Sequence, residues 1–215
     1  MNKHLRTIGW LLIHAALTFW ISWFLMPDPG TTDTRHILEI VNQSRTAVLL
    51  SVITQIISSV LYLITLFLLV KRRFSNKAIL TGAILFGIGA MGLCADAFFH
   101  LLAYFMTDKS VTIQQDVIQV MDFMQTAGVV FLLPLLLSLF IGGLVLIIGL
   151  HKQRIISGIS QWIIIGGFGI GIISAVSVKM NFLKEAIPVI AILGLFAAGQ
   201  VLAGFQLIRI PRRTT

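Results

Sequence analysis

The chain has a single cysteine, Cys94, which excludes an internal disulfide framework. Charge is also scarce: Asp, Glu, Lys and Arg together make up 11% of 215 residues, where soluble domains carry roughly 25%. With 57% hydrophobic residues and a mean hydropathy of +0.97, this is not an ordinary soluble enzyme. Acids are scarcest, 8 against 16 basic residues. In a soluble protein a net charge of +8 would suggest nucleic acid, but no nucleic-acid partner is expected where the bases flank apolar runs. There is no HExxH, no GxSxG, no phosphate-binding loop, no internal repeat and no low-complexity segment.

What is present is a series of apolar runs, near 8–26, 47–70, 78–106, 129–150, 155–178 and 187–208. Each is about the 20 residues that cross a bilayer, and six of them leave no room for a separate globular domain. The expected fold is therefore all-α, a polytopic bundle of six transmembrane helices forming one domain over 1–215. The opening MNKHLR and its apolar run have the charge pattern of a secretory signal. The run is as long as a span, however, and ends at Met26-Pro27-Asp28-Pro29-Gly30 without a small-residue cleavage motif, so it reads as an uncleaved first helix.

Charge placement orients the bundle. With the N-terminus inside, 11 of the 16 basic residues fall on the inner side, including Lys71, Arg72, Arg73, Lys77, Lys152 and Arg154. The outer side holds Asp28, Asp33, Glu39, Asp108, Asp116, Asp122 and Glu185. Positive-inside bias thus predicts cytoplasmic N- and C-termini, with segments 27–46 and 107–128 outside. The expected location is a bacterial-type inner (cytoplasmic) membrane. Trp10 and Trp162 fall near the inner interface, Trp20 and Trp23 near the outer.

The long outer segments show helical periodicity, the first after a Thr32 cap, and both are expected to lie on the membrane. As one helix, the stretch from Val111 to Leu150 would measure about 60 Å, so a bend near Gly128 and a kink at Pro134 are expected.

One acid lies inside a span. Asp96 is followed one turn later by His100, on a face shared with Gly89, Gly92 and Ala103. Inserting a central carboxylate costs at least about 2.5–3.5 kcal/mol, so a compensating group is required. A neighbouring imidazole can carry the opposite charge, fix a tautomer or share a cation. The second span carries a polar stripe of Ser51, Gln55, Ser58, Tyr62 and Thr65, and the first adds His14, Thr18 and Ser22. Interhelical hydrogen bonding explains such stripes without any cavity; three stripes facing one another favour one.

Depth then assembles a candidate ligand- or proton-binding site: Asp96, His100, Gln55, Ser51, Asp122 and Gln125, with His36 on the adjacent outer segment. No catalytic residue and no cofactor is assigned. A divalent metal stays open, held by Asp96 and His100 with His36 or Asp122 as third ligand. A bis-histidine haem would need His14 and His100, which lie at opposite depths. Cys94 reads as a small buried residue. The small residues Gly167, Gly171, Gly194, Ala198, Gly199 and Ala203 serve packing within the bundle or a homodimer through small-residue helix faces. Gln200 and Gln206 are expected to hydrogen-bond to neighbours.

The segments HILEIVNQSRTAVLLSVITQIISSVLYLITLFLLVKRRFSNKAIL and GGLVLIIGLHKQRIISGISQWIIIGGFGIGI resemble a bacterial family of small six-helix integral membrane proteins of uncharacterised function. The resemblance implies the architecture and carries over no site residue.

Three functional classes are open to such a chain. The first is a membrane protein that binds or translocates a small solute, ion or proton through an outward-facing polar pocket, and it is more a transport function than an enzyme. The second is an intramembrane metal-dependent hydrolase acting on outer-leaflet lipid. The third is a non-catalytic accessory or immunity subunit whose polar stripes are dry and satisfied. Membrane lipids are expected partners of all three.

Overall fold

The computed structural model describes residues 2–29, 33–71, 76–108, 115–179 and 186–209, with side chains at 2, 3, 168, 171–179 and 186 excluded. Every regular element among them is helical: α1 (Asn2–Leu25), α2 (Thr34–Gln43), α3 (Arg45–Val70), α4 (Lys77–Met106), α5 (Gln115–Phe123), a π-helical turn (Met124–Gly128), α6 (Val129–Lys152), α7 (Ile159–Lys179) and α8 (Ala186–Arg209). Five stretches are long and apolar enough to cross a membrane: His4–Leu25, Arg45–Val70, Lys77–Met106, Gln115–Lys152 and Ile187–Arg209. The expected fifth span is helical as α7, but its side chains from 171 onward lie outside the described residues. Five candidate spans, rather than six, are therefore counted among the described residues.

The boundaries follow local chemistry. Asp33, not Thr32, caps α2, its carboxylate accepting from the Arg35 and His36 amides; Thr32 lies outside the described residues. Asn76 caps α4 by accepting from the Ala78 amide at 2.9 Å, and donates to the Gly149 carbonyl at 3.2 Å, tying the start of α4 to the end of α6. The helix beginning at Gln115 is continuous to Lys152 over 38 residues. At the expected bend it inserts the π turn Met124–Gly128, which adds a residue to one turn and rotates all of α6 relative to α5. Pro134 sits inside α6, and the Ser138 hydroxyl donates to the Pro134 carbonyl at 2.8 Å.

Close packing rests on glycine. On α4, a Cβ at Gly82, Gly89 or Gly92 would fall 2.4, 2.1 or 2.6 Å from Leu146, Leu139 or Leu135 of α6, and one at Gly142 would fall 2.2 Å from the Phe86 nitrogen. Small residues let the two backbones touch, so van der Waals contact replaces the hydrophobic drive that lipid does not supply. Gly9 and Gly204 do the same between α1 and α8, while Gly167 and Gly199 pack on Leu195 and Ile164 within the α7–α8 pair. These glycines of the expected small-residue faces are used within the chain.

The main core runs through all the long helices, with Phe19, Tyr62, Phe86 and Phe196 at its centre. A second core, formed by Leu38, Val41, Val48, Ala103, Met106, Met121 and Met124, seats α2 and α5 on the acid-rich ends of α3 and α4. Arg45 fastens this cap. Its guanidinium donates to the Tyr104 carbonyl at 3.1 Å, the Thr107 hydroxyl at 2.9 Å and Asp108 at 3.1 Å, and stands 4.1 Å over the Tyr104 ring. A lysine cannot make that fork. Arg45→Lys should lower the detergent melting temperature, at a cost of about 1 kcal/mol because the Asp108 pair is partly solvated. An unchanged melting temperature would show that the core beneath holds the cap without it.

Candidate functional site

At the acid-rich end, the C-terminus of α1, the cap helix α2, the second half of α4, the π turn and the start of α6 enclose a cleft of about 440 Å³. Its walls are largely apolar, with Trp23, Phe99, Met121, Leu132 and Leu136 prominent. Four ionisable or amide side chains enter it: Asp28, Asp96, His100 and Gln125.

Asp96 is the deepest of these by burial, 7% exposed on a membrane-crossing helix. Gln55, 1% exposed on α3, donates its Nε2 to Asp96 Oδ2 at 2.6 Å. His100 Nδ1 approaches the same oxygen at 3.7 Å, within ion-pair range and too long for a hydrogen bond. That Nδ1 is buried without a hydrogen-bond partner among the described residues, as is the Trp23 Nε1. The Trp23 and His100 rings meet edge to face, with centroids 6.4 Å apart and planes at 88°. No hydrogen bond reaches Asp96 Oδ1 among the described residues.

The expected group is thus divided. Asp96, His100, Gln55 and Gln125 come together, with Gln55 behind Asp96 as its donor and Gln125 brought to the cleft by the π turn. Ser51 does not face the cleft: fully buried, it donates to the Ser22 carbonyl of α1 at 2.6 Å. Asp122 is exposed and accepts from the Thr34 hydroxyl, holding α5 to α2. His36 pairs with Asp28 at 3.0 Å on the rim, both side chains nearly half exposed.

Among the described residues, no three His, Cys, Asp or Glu side chains converge as metal ligands. His36 and Asp122, the expected third ligands, contact Asp28 and Thr34 respectively and do not stand with Asp96 and His100 among the described residues.

The stripes behave differently from each other. On α3, Ser51, Gln55, Ser58, Tyr62 and Thr65 are all buried, as expected of one face. Ser58 donates to the Ala15 carbonyl of α1 at 2.8 Å and Ser59 to the Ala90 carbonyl of α4, so most of the stripe is interhelical bonding. On α1 the expected stripe breaks up: His14 is exposed and bonds the Trp10 carbonyl, Thr18 turns back on the His14 carbonyl, and only Ser22 of the three is buried, its hydroxyl donating to the Phe19 carbonyl of its own helix. Gln206 binds Ser157 through both ends of its amide, at 2.7 and 2.8 Å. The Gln200 amide, by contrast, is buried without a hydrogen-bond partner among the described residues, as is the Tyr62 hydroxyl.

Trp23, Asp28, Phe99 and Met121 were not expected at the site. Trp23 reads in sequence as an interfacial anchor, while Trp10 and Trp162, at 50% and 67% exposure, do present themselves outward. Asp28 lies between two prolines, a signal of a stiff turn, and adopts a left-handed φ of 47°. The turn directs its carboxylate to the cleft mouth, which spacing alone does not reveal. A larger groove of about 620 Å³ along α1 and α8 is walled by Leu17, Trp20, Ile190, Ala191, Gly194 and Leu195 among others and carries no ionisable group among the described residues.

No family model, no curated protein and no solved structure matches the chain.

Proposed function

We propose that this multi-pass membrane protein binds, and on release can pass across the membrane, a small solute, cation or proton taken into the Asp96 cleft from the acid-rich side. The observation that carries this reading is a carboxylate only 7% exposed, on a membrane-crossing helix, in the wall of a cleft of about 440 Å³. A buried acid that served packing alone would be cheaper as an apolar residue. Asp96 receives the ligand, His100 supplies an imidazole beside it, Gln55 holds the carboxylate and Gln125, which lines the same cleft, meets the ligand as well. The π turn supports the same reading, since an inserted residue weakens a helix and persists mostly at functional positions.

The topology we propose has six spans and both termini in the cytoplasm of a bacterial-type cell, so that the cleft opens outward. Lys77, Lys152 and Arg154 at one end, against Asp28, Asp33 and Glu39 at the other, support it by the positive-inside rule.

One labelling series tests cleft and topology together. In a Cys94→Ser background, Gln125→Cys, Glu39→Cys and Arg154→Cys are exposed separately to a membrane-impermeant thiol reagent on intact cells. Reaction at 39 and 125 but not at 154 is expected. Reaction at 154 and not at 39 would reverse the orientation, and protection of 125 beside a reactive 39 would show the cleft to be closed to water.

A further inference from the structure

We infer that the ligand of the cleft is an organic monocation, a protonated amine on an apolar body. The inference rests on the reading of the cleft as a binding site and goes further by naming the chemical class of its occupant.

The charges set the sign. Among the described residues, the cleft wall contains two carboxylates, Asp28 and Asp96, and no lysine or arginine. Asp28 is answered at the rim by His36 at 3.0 Å. Asp96 has one amide donor and an imidazole nitrogen at 3.7 Å, both on Oδ2. The Arg45 guanidinium, on the same helix as Gln55, is spent on Tyr104, Thr107 and Asp108. An anionic ligand would therefore meet a carboxylate with no fixed cation to offset it, in surroundings where unscreened charges act strongly. A phospholipid amine brings its phosphate with it and meets the same obstacle.

The walls set the body. A divalent inorganic ion needs six or more oxygen ligands, or several retained waters, whereas the cleft offers mainly Trp23, Met26, Phe99, Met121, Leu132 and Leu136. Those side chains reward an organic body by about 25 cal/mol for each Å² of apolar surface removed from water, and aromatic rings attract cations. The polar groups number few and the apolar ones many, the usual balance of a small-molecule pocket. An ammonium donating to Asp96 Oδ1, with a body the size of one aromatic ring lying along the apolar wall, satisfies both conditions.

Three probes sharing one body isolate the head group: phenethylammonium, 2-phenylethanol and phenylacetate. The full-length protein is held in nanodiscs of phosphatidylcholine and phosphatidylglycerol, without aminolipid, and binding of tritiated phenethylammonium is competed by the other two. Saturable binding of the ammonium is expected, with the alcohol at least about tenfold weaker, a difference of about 1.4 kcal/mol, and no competition by phenylacetate. Asp96→Asn should bring the ammonium down to the level of the alcohol. Gln125→Trp, which fills the cleft from a partly exposed position, should abolish binding while size-exclusion behaviour stays that of the parent. Equal binding of ammonium and alcohol, unaffected by Asp96→Asn but lost in Gln125→Trp, would overturn the monocation and leave the cleft as a binding site. Binding that survives Gln125→Trp, or no saturable binding of any probe, would overturn both.

Discussion

Gly89→Ala is expected to cost at least about 3 kcal/mol and to prevent accumulation of the folded protein in the membrane. The added methyl would sit 2.1 Å from the Leu139 nitrogen and 2.2 Å from its Cα, both backbone atoms of α6. A flexible side chain could swing away from such a contact, but a helix backbone cannot. Relief therefore requires α4 and α6 to separate, undoing the contacts of Gly82, Gly92, Gly142 and Gly149 along the same seam. Gly166→Ala is the matched control, because nothing lies within 4 Å of the Cβ it would add, and alanine is the better helix former. Expression in membranes and melting in detergent of the two variants measure the contrast. Equal behaviour would show that the α4–α6 seam opens more readily than its geometry allows.

The same seam shows what sequence can convey. Apolar run length located α1, α3, α4, α6 and α8, because a bilayer imposes one length scale and backbone satisfaction leaves the helix as the one open-ended solution. Periodicity marked the face bearing Gly89, Gly92 and Asp96 as buried, and all three are. It could not say which helix lies opposite, since any apolar helix can accept a small-residue face. Lipid, moreover, gives no hydrophobic preference among them.

At the site, depth along the membrane normal brought Gln55 to Asp96 correctly, since antiparallel spans of known length fix which residues share a level. It failed for Ser51 and Asp122, which share roughly that level but point toward α1 and α2. Depth is a one-dimensional coordinate, and the rotation of each helix about its own axis is set by packing that no span length encodes. Gln125, expected at this level, does line the cleft, and it stands in a π turn that an ideal 3.6-residue period does not foresee. Asp28 depended on a left-handed turn folding back over the helix end. The α1 stripe failed for a simpler reason: serine and threonine can bond the carbonyl of their own preceding turn, so a polar residue at regular spacing need not face a partner.

The α3 serines also bear on the reading of an accessory subunit whose polar groups are all satisfied. Ser51, Ser58 and Ser59 fit it, each donating to a carbonyl of a neighbouring helix. Asp96 and His100 do not, since the imidazole Nδ1 is buried without a hydrogen-bond partner among the described residues and the carboxylate lies in the wall of a cleft. One substitution separates the two cases. Asp96→Asn keeps the volume and an oxygen to accept from Gln55 Nε2, at 2.6 Å in the parent, and replaces the other carboxylate oxygen by an uncharged amide NH2. If the carboxylate is there for a ligand, the variant should fold and melt at the parent temperature or above it, because a buried charge is expensive, while binding in the cleft is lost. If Asp96 and His100 are packing glue, the change leaves His100 poorly satisfied and should cost on the order of 1–3 kcal/mol, and His100→Gln should cost a similar amount without adding to it in the double variant. Gln55→Leu calibrates both outcomes. It strips the carboxylate of its one hydrogen-bond donor among the described residues and should lower the melting temperature clearly in either case, by about 2–3 kcal/mol. Melting of purified Asp96→Asn, His100→Gln, the double variant and Gln55→Leu needs no knowledge of the ligand. A drop in Asp96→Asn as large as that of Gln55→Leu, shared with His100→Gln and not additive, would refute a ligand role for the carboxylate.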